Sequence, residues 1–259
     1  MHLQTTLVFV ITVSTFVFPW SDGRSTAVDA HQAASDVVEG ARPVAKAMAL
    51  LSRQLGWNIT YEEPVYVNAD DLLDVTKTPI GGRRAIILRG GRVRLPDEAV
   101  MATAQENPVA FLESVIATEE MSRGRVKRFK VLRSESMFHV VPTQVLDAAG
   151  RWQRAVPIFD TEITISHGAV TLSEFLEMLC ANLTAVGPTK VITATMPITA
   201  KIPRGSAALI MVPAQQRTAG ARTLLVEALS KTDVPLKWWL MYDPPSATYY
   251  LSVGSPGAF

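Results

Sequence analysis

The stretch that decides the fold is Thr161-Glu162-Ile163-Thr164-Ile165, then Thr171-Leu172-Ser173-Glu174-Phe175-Leu176-Glu177-Met178-Leu179-Cys180-Ala181-Asn182-Leu183, then Lys190-Val191-Ile192-Thr193-Ala194-Thr195. Its middle part opens on a Thr-x-x-Glu capping box, in which Thr171 and Glu174 satisfy each other's orphan amides at a helix start. Leu172, Phe175, Leu176, Leu179, Cys180 and Leu183 recur at helical spacing on one face, and Gly187-Pro188 ends the run. The flanking segments are rich in β-branched residues and read as strands. The stretch predicts a strand–helix–strand unit.

Working outward, the layout recurs. Near the start, Val44, Ala47, Met48, Leu51 and Leu55 share a helical face between Pro43 and Gly56, and Trp57–Tyr61 follows as a strand. Near the end, Leu209–Val212 reads as a strand and Leu224, Leu225, Ala228 and Leu229 as a helical stripe. Trp238–Tyr242 and Tyr249–Val253 are then two strands around the Asp243-Pro244-Pro245-Ser246 turn. The first and last units match in letters: Trp57-x-x-x-Tyr61-Glu62-x-Pro64 parallels Trp238-x-x-x-Tyr242-Asp243-x-Pro245. Aromatics four apart on a strand share a side, so each pair is expected to pack on its own helix.

Between these units Arg83–Leu88 and Arg92–Leu95 read as a hairpin around Gly90-Gly91. Asn107-Pro108 starts a helix with Phe111, Leu112, Val115 and Ile116 inside, and Val126–Leu132 and Met137–Val141 are two more strands. The expected fold is α/β to α+β, made of repeated βαβ-type units with helices packed on small mixed sheets. Residues 1–30 are expected as a signal peptide and 31–66 as the first unit. Residues 67–157 would be an inserted hairpin, helix and strand region, and 158–259 two further strand–helix–strand units.

The chain of 259 residues is 48% hydrophobic and 19% charged, with a mean hydropathy of +0.18. That much apolar surface offsets chain entropy and excludes a disordered chain. A net charge of +1 does not suit a molecule built to wrap a polyanion. The one cysteine, Cys180, excludes an internal disulfide framework and a cysteine-based zinc site.

Leu7–Trp20 (LVFVITVSTFVFPW) is an apolar run of signal-core length, shorter than a membrane span. Small residues place cleavage after Ala27 or Ala30. The expected location is periplasmic or extracellular after cleavage. An uncleaved amino-terminal anchor is the alternative, because His2 and the amino terminus are the only positive charges before the run.

The segment from Asp36 through Ala41-Arg42-Pro43, Gln54-Leu55-Gly56 and Tyr61-Glu62 resembles the short amino-terminal domain of secretins and TonB-dependent receptors. Ala41-Arg42-Pro43 matches that family's turn, Gln54-Leu55-Gly56 its helix stop and Tyr61-Glu62 its strand end. Ile163–Ile165 with Thr171–Leu176 is similar to its second strand and helix. The chain departs from the family in its 67–157 region and in a third unit after residue 200, and no pore or barrel is expected within residues 1–259. The resemblance implies a small α/β periplasmic module that contacts other envelope proteins, with no catalytic residue and no cofactor. The whole chain also resembles uncharacterised exported bacterial proteins of this layout.

No metal-ligand pair, nucleophile elbow, phosphate loop or dinucleotide fingerprint is present in the sequence. His139, in Phe138-His139-Val140-Val141, reads as a half-buried strand residue; the rival reading is an enzyme using it as a base with Asp160 or Glu162. His167-Gly168 reads as loop. The acidic stretch Glu62, Glu63, Asp70, Asp71 and Asp74 lacks the alternation and glycine of a calcium loop. It is expected as a solvated turn, with Asn68 or Asp70 capping a short helix. Asn58-Ile59-Thr60 and Asn182-Leu183-Thr184 match the glycosylation triplet inside expected elements.

Residues 81–133 hold 11 basic groups against six acidic ones, a local +5. Arg83, Arg84, Arg89, Arg92 and Arg94 lie on the expected hairpin, and Arg123, Arg125, Lys127, Arg128, Lys130 and Arg133 around the next strand. Two readings follow: contacts with an anionic membrane or wall surface, or positive charge guarding edge strands against pairing. Nucleic acid is not an expected partner, because no aromatic stacking positions interleave the arginines.

Overall fold

The computed structural model describes residues 37–77, 85–121, 124–125, 127–134, 137–194, 210–232 and 235–254. The apolar run, both cleavage positions, Arg83, Arg84 and Arg123 lie outside the described residues.

Along the chain come β1 (Val37–Gly40), α1 (Pro43–Leu55), β2 (Asn58–Glu62), a 3-10 turn at Ala69–Asp71, β3 (Leu72–Asp74), β4 (Ile86–Leu88) and β5 (Gly91–Arg94). Next are α2 (Glu98–Thr103), α3 (Pro108–Ile116), β6 (Glu120–Met121), β7 (Gly124–Arg125), β8 (Phe129–Ser134), β9 (Met137–Pro142), β10 (Gln144–Leu146) and β11 (Trp152–Arg154). After a second 3-10 turn at Ile158–Asp160 follow β12 (Glu162–His167), β13 (Val170–Thr171), α4 (Leu172–Val186), β14 (Lys190–Thr193), β15 (Met211–Val212) and β16 (Gln215–Gly220). The chain closes with α5 (Ala221–Ser230), β17 (Lys237–Asp243) and β18 (Thr248–Gly254).

Six strands form one mixed sheet in the order β14-β18-β17-β2-β9-β8, and the other described strands form smaller sheets of two or four. The class is the expected mixture of helices and strands, with small antiparallel sheets beside one larger mixed sheet. Adjacent residues of a strand face opposite ways, and β17 uses both sides. Trp238, Leu240 and Tyr242 join the core built on α4 and α5, whereas Trp239 joins the core built on α1 and α3. The sheet is therefore covered by a helix pair on each face.

The pairings show one topology used twice. In the first half β1 pairs antiparallel with β5, β2 runs parallel to β9, and β9 pairs antiparallel with β8. In the second half β12 pairs antiparallel with β16, β14 runs parallel to β18, and β18 pairs antiparallel with β17. Each half is thus strand–helix–strand, strand–helix–strand–strand. The row Tyr61–Val140–Val131 of the first corresponds to Thr193–Leu251–Leu240 of the second. Helix faces correspond as well: Phe111, Leu112, Val115 and Ile116 on α3 match Leu224, Leu225, Ala228 and Leu229 on α5, and all eight are buried. The halves join where β17 runs parallel to β2, with Trp239 beside Tyr61 and Leu240 beside Glu62.

This arrangement relocates the repeat suggested by the letters. Trp57 and Tyr61 do pack with α1, and Trp238 and Tyr242 with α5. Their strands are not counterparts, however; β2 corresponds to β14 and β17 to β8. Residues 67–157, expected as an insertion, supply β5, α3, β8 and β9, which complete the first half.

The hairpin expected around Gly90-Gly91 does not form. β4 pairs with β3, while β5 pairs with β1. Leu88 is buried in the α4/α5 core, but Val93 and Leu95 are buried in the α1/α3 core. One hairpin would not deliver its two apolar strands to cores on opposite faces.

Local signals at helix ends hold. Thr171 and Glu174 make both bonds of the capping box. Asn107 accepts from the Ala110 amide at the start of α3, and Gly56 ends α1 with φ 69°. The left-handed region carries no penalty for a residue without Cβ. Of the expected core positions, Met48, Leu51, Leu112, Val115, Leu172, Phe175, Leu179, Leu225 and Leu229 are buried. Leu55 and Leu176 are only partly so.

Candidate functional site

The densest buried chemistry lies at the junction of the halves. Glu62 ends β2, a central strand, and Glu63 follows it directly, so their side chains leave on opposite faces. Both are fully buried. Glu62 Oε2 meets Arg222 Nη2 at 3.0 Å, and its Oε1 accepts from the Phe159 amide at 3.2 Å. Arg222, in the first turn of α5, also donates to Asp160 Oδ1 at 2.8 Å. Glu63 Oε1 accepts from Arg42 Nε at 2.8 Å, and its Oε2 accepts from the Tyr242 amide at 2.8 Å. Arg42 Nη2 donates to the Tyr242 carbonyl at 2.8 Å, and the Tyr249 hydroxyl donates to the Glu63 carbonyl at 3.0 Å.

Burial pushes both carboxyls above the ordinary carboxylate range, with Arg222 and Arg42 opposing that shift at Glu62 and Glu63 respectively. Each carboxylate is held by a guanidinium and a backbone amide, one per oxygen. The pair acts as a two-sided clamp between halves. The acidic stretch is accordingly not a solvated turn at these positions. Asn68 does cap the short helix, accepting from Asp70 N at 2.9 Å.

A third polar contact crosses the junction. Lys237 of β17 is buried and donates to Ser52 Oγ at 3.1 Å, while Ser52 donates to the Trp57 carbonyl at 2.7 Å. Desolvation lowers the Lys237 ammonium to about 8.

The basic residues disperse. Arg128, expected at a charged surface, is buried and meets Asp71 at 2.7 Å, with its guanidinium over the Trp152 ring. Its cation cannot serve as a surface contact, because the Asp71 carboxylate, likewise buried, requires it. Glu119 is buried within reach of both charges, and desolvation raises its carboxyl to about 7. Arg89 donates to the carbonyls of Asp70 and Leu72. Arg92 pairs with Glu120 and Lys127 with Glu113. Arg125 lies in β7, where its backbone bridges to that of Glu120. Arg94 is exposed on β5, and Lys130 is half-buried on β8. β8 is an outer strand of the six-stranded sheet, which is where positive charge guards against pairing.

His139 is 1% exposed. Its Nδ1 bonds Thr60 Oγ1 at 2.7 Å and its Nε2 bonds Ser134 Oγ at 2.6 Å. Its ring stacks on Trp238, and burial lowers its pKa to about 4. The hydrogen bonds of the imidazole go to hydroxyls, not to Asp160 or Glu162. Asp160 is engaged by Arg222, and Glu162 lies exposed on β12. His167 bonds the adjacent Gly168 carbonyl. Among the described residues no group of three or more His, Cys, Asp or Glu side chains is placed to hold a metal.

Arg42, Arg222 and Lys237 were missed by sequence reasoning. A signal did exist: two successive glutamates continue the apolar strand Trp57–Tyr61, so both cannot face water if that strand is central.

No protein-family model, no curated protein and no solved structure matches the chain.

Proposed function

We propose that the protein is exported through its amino-terminal apolar run and acts in the cell envelope without catalysis, by contacting other envelope proteins. The observation that carries this reading is the doubled module. Each half has the strand, helix and strand order of the short amino-terminal domain that the 36–62 segment resembles. The polar side chains inside the module are bound to one another: Glu62 with Arg222, Glu63 with Arg42, Arg128 with Asp71, His139 with Thr60 and Ser134. They support the fold rather than converge on a substrate.

The test is fractionation of native cells with amino-terminal sequencing of the protein, followed by photo-crosslinking from the exposed residues Val67, Ile87 and Val156. Recovery from the envelope fraction with a new amino terminus after residue 27 or 30, and crosslinks to another envelope protein, are expected. A cytoplasmic protein beginning at Met1, or turnover of a small molecule abolished by a single substitution, overturns the reading.

A further inference from the structure

The operation that relates the halves does not close on itself. Because β14 runs parallel to β18, β18 antiparallel to β17, and β17 parallel to β2, strands β2 and β14 point in opposite directions. The helix pairs lie on opposite faces. A half-turn about an axis across the strands, with a step of three strands, therefore carries one half onto the other. Such an operation is heterologous, and repetition would generate an open filament. The next step would set β8 of one copy beside β14 of another, as β17 lies beside β2. A second copy of this chain is thus the partner that the outer edges geometrically fit.

Those edges are occupied by their own side chains. Val131 corresponds to Leu240, whose carbonyl accepts from the Glu63 amide at the junction. At the outer edge the Val131 amide instead donates to Glu113 Oε1 at 3.3 Å, and Glu113 Oε2 is held by Lys127 Nζ at 3.3 Å. On the other side Val191 corresponds to Ile59. The Val191 amide donates to Thr184 Oγ1 at 2.9 Å, and that hydroxyl donates back to the Val191 carbonyl at 3.1 Å. Thr184 corresponds to Ser52, whose hydroxyl at the junction takes a hydrogen bond from Lys237 of the neighbouring strand. The side chains that cement the junction are also replaced. Lys130 stands in the place of Trp239, Thr193 in that of Tyr61 and Ala194 in that of Glu62.

We propose that Glu113 and Thr184 are edge caps that stop the internal junction from being repeated between copies of the chain. Glu113 takes up the amide of the residue that matches bridged Leu240. Thr184 takes up both outward backbone groups of Val191, two residues before the counterpart of bridged Tyr61, and Lys130 adds a charge where the junction has an indole. Sheet edges without such protection pair with other chains.

The test is sedimentation of the full chain across a wide concentration range. Wild type is expected to keep one sedimentation coefficient. Glu113→Val with Thr184→Val is expected to show a mass that climbs with concentration past the dimer. In that background Lys130→Cys with Thr193→Cys should crosslink between copies, because those positions face each other when β8 and β14 pair in the junction register. Glu113→Gln with Thr184→Ser keeps the caps and should stay monomeric. Crosslinking through Lys130→Cys with Thr193→Cys in a chain that keeps Glu113 and Thr184, or an opened variant that stays monomeric with native near-ultraviolet circular dichroism, overturns the proposal. Amide exchange on wild type gives a measurement that needs no variant. The Val131 and Val191 amides should be protected although they sit on outer edges, and exchange as fast as in an unstructured peptide would refute the caps.

Discussion

Arg222 Nη2 lies 3.0 Å from Glu62 Oε2, joining the first turn of α5 in one half to the end of β2 in the other. With Arg42 and Glu63 on the opposite face, this pair fixes the register of a junction that has only two bridged residue positions, Trp239 beside Tyr61 and Leu240 beside Glu62. A buried pair adds little over apolar packing, but losing one partner strands a charge. Arg222→Met should destabilise the protein by about 3–5 kcal/mol. Glu62→Gln with Arg222→Met should cost less than the two single changes together. Urea denaturation of the four proteins checks both statements.

Glu119 makes stability depend on pH. Its carboxyl is raised to about 7, so the folded state holds the proton that the unfolded chain releases near the ordinary carboxylate value. The contribution of this group is fully present below that value and is lost as pH rises to about 7. Glu119→Gln should reduce the slope, leaving the part due to Glu62 and Glu63, and stabilise the protein at pH 8 by up to about 3 kcal/mol, the free-energy equivalent of such a shift. Denaturation midpoints of wild type and variant at pH 5 and pH 8 decide it.

His139 titrates in the opposite sense. Burial lowers its pKa to about 4, so the unfolded chain gains the proton first as pH falls. Its contribution is present above the ordinary histidine value and is lost as pH drops from there towards 4. Imidazole nitrogen chemical shifts should report a neutral ring at pH 6; a protonated ring there would contradict the buried contacts to Thr60 and Ser134.

Cys180 is buried, and desolvation raises its thiol to about 12. Reactivity follows the thiolate and its access. Alkylation of native protein at pH 8 should therefore proceed only through unfolding. Its rate should match the unfolding rate, and labelling as fast as that of a free peptide thiol would be inconsistent with the α4 packing.

The two leucines three apart on α4 should respond differently. Leu179 is fully buried, and Leu179→Ala should cost about 2–5 kcal/mol through the cavity it leaves. Leu176, only partly buried against the same core, should cost less when changed to alanine. Equal losses in thermal denaturation would show that the face of α4 is misassigned.

The sequence by itself determined the local units. The Thr171/Glu174 box, the Asn107-Pro108 start, the Gly56 stop and the apolar faces of α1, α3, α4 and α5 are all written within a few residues of where they act. Short-range hydrogen bonding and 3.6-residue periodicity need no tertiary partner to be read. The tertiary structure alone decided which strands pair. Trp57–Tyr61 and Trp238–Tyr242 look like copies, yet they lie side by side at a junction, while the true counterpart of β2 is the dissimilar Lys190–Thr193. Burial of Glu62, Glu63 and Arg128 was likewise decided there. A charged side chain is stable in the interior only when a distant segment brings its partner, and Arg222 is 160 residues from Glu62. Strand pairing is set by which faces must be covered, a property of the assembled sheet and not of any one segment.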